Sequence, residues 1–308
     1  MHHRSRGMAF ATPRSAAVVN GLATAAENDA SLNALLGQGW LNRPLAGVRL
    51  LAGLHDLVLT GEAPELKALM YLSDPDAALP GGDVLWKITR QAIFDHPDEM
   101  RAALDWPVQQ HIPGRAAFLL SGLAMLAQPR VRVLELGACA GLTLQPDEYW
   151  WQGPGWTWGA SDSPIRFRID CPSPPPGLTI VERGGCDIAP VDPGDPAMAR
   201  RLHTFLPAEL SGLHQDLDAA LKIAAGRRQR IDNASAQEWL EFRLLEKPPL
   251  GVHTVVWHCQ VWQQLEQAEQ DGIRAALFAA ARRYPISRIS YEPYELGGPA
   301  TLIAESFQ

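Results

Sequence analysis

Cysteine is scarce and scattered. The chain of 308 residues has four, Cys139, Cys171, Cys186 and Cys259, and no two form a C-x-x-C pair. That pattern argues against a disulfide framework and against a structural zinc site, and it suits reduced thiols. No uncharged apolar run approaches the ~20 residues that a membrane-spanning helix needs. The opening MHHRSRGMAF has no apolar stretch of the kind that fills a secretory leader, so a cytoplasmic protein with no membrane partner is expected. Positive charge is in deficit, with 27 Lys and Arg against 34 Asp and Glu, a net charge of −7. Nonspecific nucleic-acid binding is therefore not expected. The patterns H-E-x-x-H, G-x-S-x-G and G-x-x-x-x-G-K-[ST] are all missing, which weighs against metalloprotease, α/β-hydrolase and P-loop chemistry. The histidines have no metal-ligand spacing, and no metal is expected.

What is present is an ordinary soluble composition, 46% hydrophobic and 20% charged, in a chain long enough for a large core. Residues 1–127 read as a helical subdomain, a cap or lid, because Ala, Leu and Met recur at three- and four-residue spacings. Candidate helices are Ser15–Glu27, Ala46–Leu59, Pro64–Leu72, Val84–Phe94, His96–Leu104 and Gly114–Ala127. From 128 onward, short apolar runs alternate with helical stretches, the signature of a mostly parallel sheet with helices on both faces. The expected strands are Val131–Leu136, Leu178–Val181, Arg230–Asp232, Val252–Cys259, Ile286–Tyr291 and Thr301–Phe307. The first is expected to be followed by a helix over Leu142–Trp151. The Trp- and Gly-rich stretch around 152–177 reads as a hairpin-like insertion ending in a proline run.

The most informative stretch is VRVLELGACAGLTL, Val131 to Leu144. A buried strand turns there into glycines, which are the residues used where backbone must approach a ligand. Its form, E-x-G-x-x-x-G from Glu135 to Gly141, resembles the first motif of S-adenosylmethionine-dependent methyltransferases. The dinucleotide fingerprint fits less well, since Cys139 stands where a second glycine belongs; a dinucleotide oxidoreductase is not expected.

Further segments carry a family resemblance: GLHDLVLTG (Gly53 to Gly61), GRAAFL (Gly114 to Leu119), LELGACAGLTL, VERGGCDIAPVD (Val181 to Asp192) and VVWHCQVWQQL (Val255 to Leu265). Together, in this order, they resemble domain-of-unknown-function family 2332, a bacterial family similar in fold to S-adenosylmethionine-dependent methyltransferases. The chain departs from the family's pattern at QQHIP before Gly114 and at Ser235. The resemblance implies a methyltransferase-type Rossmann sheet with an all-helical N-terminal subdomain, and no substrate.

On that fold several polar residues fall at the carboxyl ends of parallel strands, the rim where open α/β sheets bind ligands. Glu135, Gly137, Ala138 and Gly141 would hold S-adenosylmethionine, with Glu135 facing its ammonium. Asp187 would meet the ribose diol, with Asp162 and Asp170 as competitors, and Asn233 and Ser235 would meet the adenine edge. Packing, turn and capping roles are the alternatives at each of these positions. His258 is the candidate general base, with a backbone-bonded buried histidine as its alternative. Arg115 and Trp262 are candidate substrate contacts. The expected function is methyl transfer to a small or medium acceptor, with the helical half closing over the rim. A non-catalytic cofactor-binding or regulatory module of the same fold is the alternative.

Overall fold

The computed structural model describes residues 12–71, 82–227, 230–294 and 298–307. The opening MHHRSRGMAF and Leu72, the expected end of a helix, lie outside them. The described chain divides into two compact units, one of residues 12–111 and 195–215, the other of residues 112–194 and 216–307.

The first unit is helical. It contains α1 (Pro13–Asn28), α2 (Ala30–Leu36), α3 (Ala46–Thr60), α4 (Pro64–Met70), α5 (Gly82–Asp95) and α6 (Pro97–Ala103). Proline occupies the first turn of α1, α4 and α6, where its missing N–H costs nothing. Asp29 caps α2 by accepting from the N–H groups of Ser31 and Leu32. The start of α1 is capped from far along the chain. Glu209 accepts the Arg14 and Ser15 N–H groups at 3.1 Å each, and the Ser15 hydroxyl at 2.7 Å, which places a carboxylate at the positive end of the helix. The core gathers Val18 and Leu22 of α1, Leu50, Leu54 and Val58 of α3, and Ile93 and Met100. Helices α3 and α6 cross closely at Gly53, where an added Cβ would lie 2.7 Å from the Ala103 Cβ.

The second unit opens with α7 (Ala116–Leu126) and β1 (Arg130–Leu136), followed by β2 (Trp150–Gly153), β3 (Trp156–Gly159), β4 (Arg166–Arg168) and β5 (Thr179–Asp187). The chain then supplies α8 (Pro196–Thr204), which belongs to the helical unit, and α9 (Ser211–Arg227), which starts in that unit and ends in this one, before β6 (Asp232–Asn233), α10 (Ala236–Leu245), β7 (His253–Cys259), α11 (Gln267–Ala281), β8 (Ile286–Pro293) and β9 (Ala300–Phe307). Six strands form one sheet in the order β6-β5-β1-β7-β8-β9, parallel except for the antiparallel pair β8–β9. The hairpin insertion forms a separate three-stranded sheet, β3-β2-β4.

Strand periodicity sorts the side chains onto two faces. Leu134, Leu136, Val256 and Ile286 pack against α10 and α11 through Trp239, Leu240, Ile273 and Leu277. Ile289 and Tyr291 point the other way, toward α7, where Phe118 stacks on Tyr291 with ring centroids 3.6 Å apart. Helix α7, which the sequence pattern assigns to the helical half, is thus a layer of the sheet unit. Its eleven residues are apolar nearly all round because the helix is largely buried.

Three expected local structures differ, one of them the third strand, expected over Arg230–Asp232 and found as the two-residue β6, Asp232–Asn233. No α-helix follows β1; Leu142–Leu144 and Pro146–Glu148 form two short 3-10 turns instead. Pro146 has no N–H to give the Leu142 carbonyl, and the Tyr149 hydroxyl donates to that carbonyl at 2.7 Å in its place. The second core strand, expected to end at Val181, runs on to Asp187 through Gly184 and Gly185. Both glycines lie beyond the expected end of the strand, and Gly185 serves close packing: a Cβ there would lie 2.6 Å from the Ala138 Cβ.

Gly122 tests the layer of α7 on the sheet, since its added Cβ would lie 2.5 Å from the Ile289 Cγ2. Gly122→Ala is expected to destabilise by about 1–3 kcal/mol in urea titration through overpacking. Combined with Ile289→Ala, the loss should be smaller than the sum of the two single losses. A strictly additive pair would show that the helix does not rest there.

Candidate functional site

The sheet reverses its winding between β1 and β7. The chain leaves β1 for the β5 side and leaves β7 for the β8 side, so the carboxyl ends of β1 and β7 frame the switch point. The corner after β1 has Gly137 at φ 69°, Cys139 at φ 51° and Gly141 at φ 70°. Three left-handed residues in five make a tight knot. Cys139, whose side chain makes that conformation costly, is held by its N–H donating to Asp187 Oδ2 at 2.9 Å. Asp187 Oδ1 accepts the Ala189 N–H, also at 2.9 Å. The carboxylate therefore staples two rim loops and stays half-buried, with a second lone pair on each oxygen.

The glycines of the corner meet side chains of the protein itself. A Cβ on Gly137 would lie 2.6 Å from the Val261 Cγ2, and one on Gly141 would lie 2.9 Å from the Ile231 Cδ1. Ala138 is fully buried and gives its N–H to the Cys186 carbonyl at 2.9 Å. Without an α-helix after the turn, the corner has no helix N-terminus to aim at an anionic ligand.

Glu135 and His258 are brought near the rim on opposite faces of the sheet. Glu135 pairs in register with Trp257, on the α7 side; His258 pairs with Leu136 and Ser290, on the α10 and α11 side. Glu135 is 2% exposed and accepts the Thr143 hydroxyl. Burial pushes its carboxyl up to about 8, against the pull of the Thr143 hydroxyl and the Trp257 indole, while the charge of Asp187 pushes it further up. At neutral pH the un-ionised form is therefore favoured.

His258 is 1% exposed, and burial pushes its imidazole down despite the neighbouring Glu292. The neutral ring donates from Nδ1 to Glu292 Oε1 at 2.7 Å. It lies under Trp262, with ring centroids 4.9 Å apart and planes at 23°. Arg274 and Arg288 flank the same indole at 5.1 and 5.2 Å from its centroid. Trp262 thus covers His258.

The other expected residues divide. Asn233 is exposed on β6 and pairs in register with Asp187, so those two meet on the rim. Ile188, which follows Asp187 in the chain, is 77% exposed. Ser235 is spent as the N-cap of α10, accepting the Glu238 N–H at 3.4 Å and donating to the Glu238 carboxylate at 3.1 Å. Arg115 ends the short turn before α7, and its charge favours the thiolate of Cys259 and the phenolate of Tyr291, although burial dominates and pushes Cys259 up to about 12. Asp162 and Asp170 belong to the insertion, where both are exposed.

Val261, Ile188 and a group in the helical unit carry no signal in the sequence. In that unit His55 gives Nδ1–H to the Thr204 carbonyl at 3.2 Å and accepts the Tyr71 hydroxyl at Nε2. His203 and His214 meet edge to edge in one plane: their Nδ1 atoms are 2.9 Å apart, their centroids 5.2 Å, and their planes differ by 8°. His214 donates from Nε2 to the Pro207 carbonyl at 3.1 Å, so its Nδ1 accepts from His203. Burial pushes His55 down to about 3, with the two neighbouring histidines adding to the effect. Among the described residues no group of three or more His, Cys, Asp or Glu is arranged to hold a metal ion, and no helix is long and apolar enough to cross a membrane.

The architecture defines a mixed α/β protein with a mostly parallel six-stranded sheet. Residues 4–305 match the family described as uncharacterized protein conserved in bacteria (DUF2332), and the chain belongs to that family. No curated protein and no solved structure matches it.

Glu135 provides a test of the buried corner. Its folded pKa lies above the ordinary 4.5, so its stabilising contribution is full below that value and is lost as pH rises through about 8. Between pH 5 and 9 the chain is expected to lose on the order of 4 kcal/mol more stability than Glu135→Gln, measured by urea titration at both pH values. Parallel losses in the two proteins would show that Glu135 is ionised in the fold.

Proposed function

We propose that the sheet unit is a methyltransferase-type Rossmann domain that binds an adenosine-containing metabolite along the rim formed by Asp187, Ile188 and Asn233. The observation that carries this reading is the strand order. Counted along the chain, the five parallel strands of the main sheet lie in the order third, second, first, fourth, fifth, followed by an antiparallel last strand. A carboxylate ends the second strand, and its register partner on the third is an exposed amide. A half-buried carboxylate with spare lone pairs suits the hydroxyls of a ribose. The exposed Ile188 side chain offers an apolar surface to a base, and Asn233 offers a donor and an acceptor to its edge.

S-adenosylmethionine is the adenosyl compound to which the sequence points, and these residues fit its two halves unequally. The adenosine half finds Asp187, Ile188 and Asn233. The methionyl half finds Val261 against Gly137, and an un-ionised Glu135 sealed beneath the corner. The reading supported best is therefore the binding module. Methyl transfer to a small or medium acceptor is the second reading, favoured by the strand order. Bound S-adenosylmethionine would supply an activated methyl group, and His258, neutral at the end of β7, is the base this chain could bring. Its cover by Trp262 weighs against that role.

Calorimetric titration of the full chain with adenosine and with S-adenosylhomocysteine tests the reading. Saturable heat with adenosine is expected, and Ile188→Asp, at an exposed position, should weaken it tenfold or more while leaving the melting temperature in place. Absence of heat and of thermal shift at millimolar concentrations of both compounds would refute it. Methylated product from S-adenosylmethionine and an acceptor library would favour the second reading.

A further inference from the structure

We infer that the loop of residues 260–264 selects the ligand class, admitting nucleosides that end at the ribose and excluding S-adenosyl compounds with an amino-acid arm, with Val261 as the excluding side chain and Glu292 as its positioning residue. This inference rests on the adenosine-binding reading and deepens it.

The loop stands at the switch point, directly after β7. Its Val261 side chain takes the space beside Gly137, the one residue of the corner whose backbone is half-open to solvent. Glycine there lets the Val261 methyl groups approach, where a ligand's arm would otherwise lie. The loop is fastened on several sides. Glu292 Oε1 accepts the Val261 N–H at 3.1 Å and the His258 Nδ1–H at 2.7 Å, so one oxygen at the end of β8 fixes both the loop and the end of β7. Gln260 takes the left-handed conformation, φ 56°, and its N–H donates to the Tyr291 carbonyl at 3.1 Å. Trp262 rests on His258 between two guanidinium groups, and its carbonyl accepts from the Gln270 side chain at 3.0 Å. A loop held in this way presents Val261 as a fixed wall. An amino-acid arm also carries an ammonium group, and Glu135 is sealed within the core, on the side of the sheet that faces α7. Such an arm meets neither room nor counter-charge, whereas a nucleoside does not need that space.

The test compares the affinities of adenosine and S-adenosylhomocysteine for the full chain, for Val261→Ala and for Glu292→Gln, each first confirmed folded by its melting curve. The unaltered chain should bind adenosine at least as tightly as S-adenosylhomocysteine. Val261→Ala should tighten S-adenosylhomocysteine fivefold or more and change adenosine less than twofold. Glu292→Gln, which weakens the fastening, should move the ratio of the two affinities in the same direction, which a merely structural role would leave alone. A tenfold preference of the unaltered chain for S-adenosylhomocysteine, or equal shifts of both ligands in Val261→Ala, would overturn the inference while the adenosine-binding reading stands. Failure of both compounds to bind any of the three proteins would remove that reading and this inference together.

Discussion

Ala138 sits against Gly185 so closely that one methyl group on the glycine would collide with it, and the course of the chain out of β1 depends on that contact. The strands β1 and β5 are register neighbours, and the knot of left-handed residues after β1 lies across the end of β5. Once Ala138 is seated, its N–H reaches the Cys186 carbonyl, and the Cys139 N–H reaches Asp187. The stretch from Ala138 to Leu144 is then buried between the two strands and the turns that follow. Backbone donors in such a place need partners inside the protein, and Asp187 supplies one of them. The same carboxylate still borders solvent on the rim, so the residue that completes the fold at this corner is also the residue most able to meet a ligand.

Buried polar groups of the sheet unit are satisfied unevenly: Glu135 Oε2, His258 Nε2 and Glu292 Oε2 are buried with no hydrogen-bond partner among the described residues. Arg132, fully buried at the start of β1, spreads its guanidinium over the Thr254 hydroxyl and the Glu246 carbonyl. Near the carboxyl ends of the strands the burden is shared between two faces. On one side burial favours the neutral Glu135 against the pull of Thr143 and Trp257; on the other burial favours the neutral His258 under Trp262, against the pull of Glu292. In the helical unit two separate histidine relays hold the ends of α8 and α9: the Tyr71 hydroxyl donates to His55, which donates to the Thr204 carbonyl, and His203 donates to His214, which donates to the Pro207 carbonyl.

Much of the fold was legible because it rests on short-range pattern. The first strand, the strong fourth one and α1, α3, α4, α5 and α6 follow from apolar spacing, with Pro64 and Pro97 at helix starts, whereas α2 (Ala30–Leu36) is absent from that reading. The helix expected after β1 failed on a single residue, Pro146, and on the reach of Tyr149 to the Leu142 carbonyl, which no periodicity reveals. Gly184 and Gly185 lie beyond the expected end of the second strand; only the neighbouring Ala138 explains small residues inside a strand. At the candidate site, Asp187 and Asn233 were placed at strand ends by counting elements. The positions of Glu135 and His258 on opposite faces depend on strand parity within the assembled sheet.

By itself, then, the sequence determined most of the segments that become strands and helices, where the parallel sheet begins and which glycines crowd the first turn. It did so because hydrophobic spacing and the conformational limits of proline and glycine act over a few residues. Tertiary structure alone decided which groups those glycines face, which carboxyl group keeps its proton and which ring lies under Trp262. Val261 and Gly137, or Glu292 and His258, are far apart along the chain and close in space, and their burial sets both the room and the charge left for any ligand.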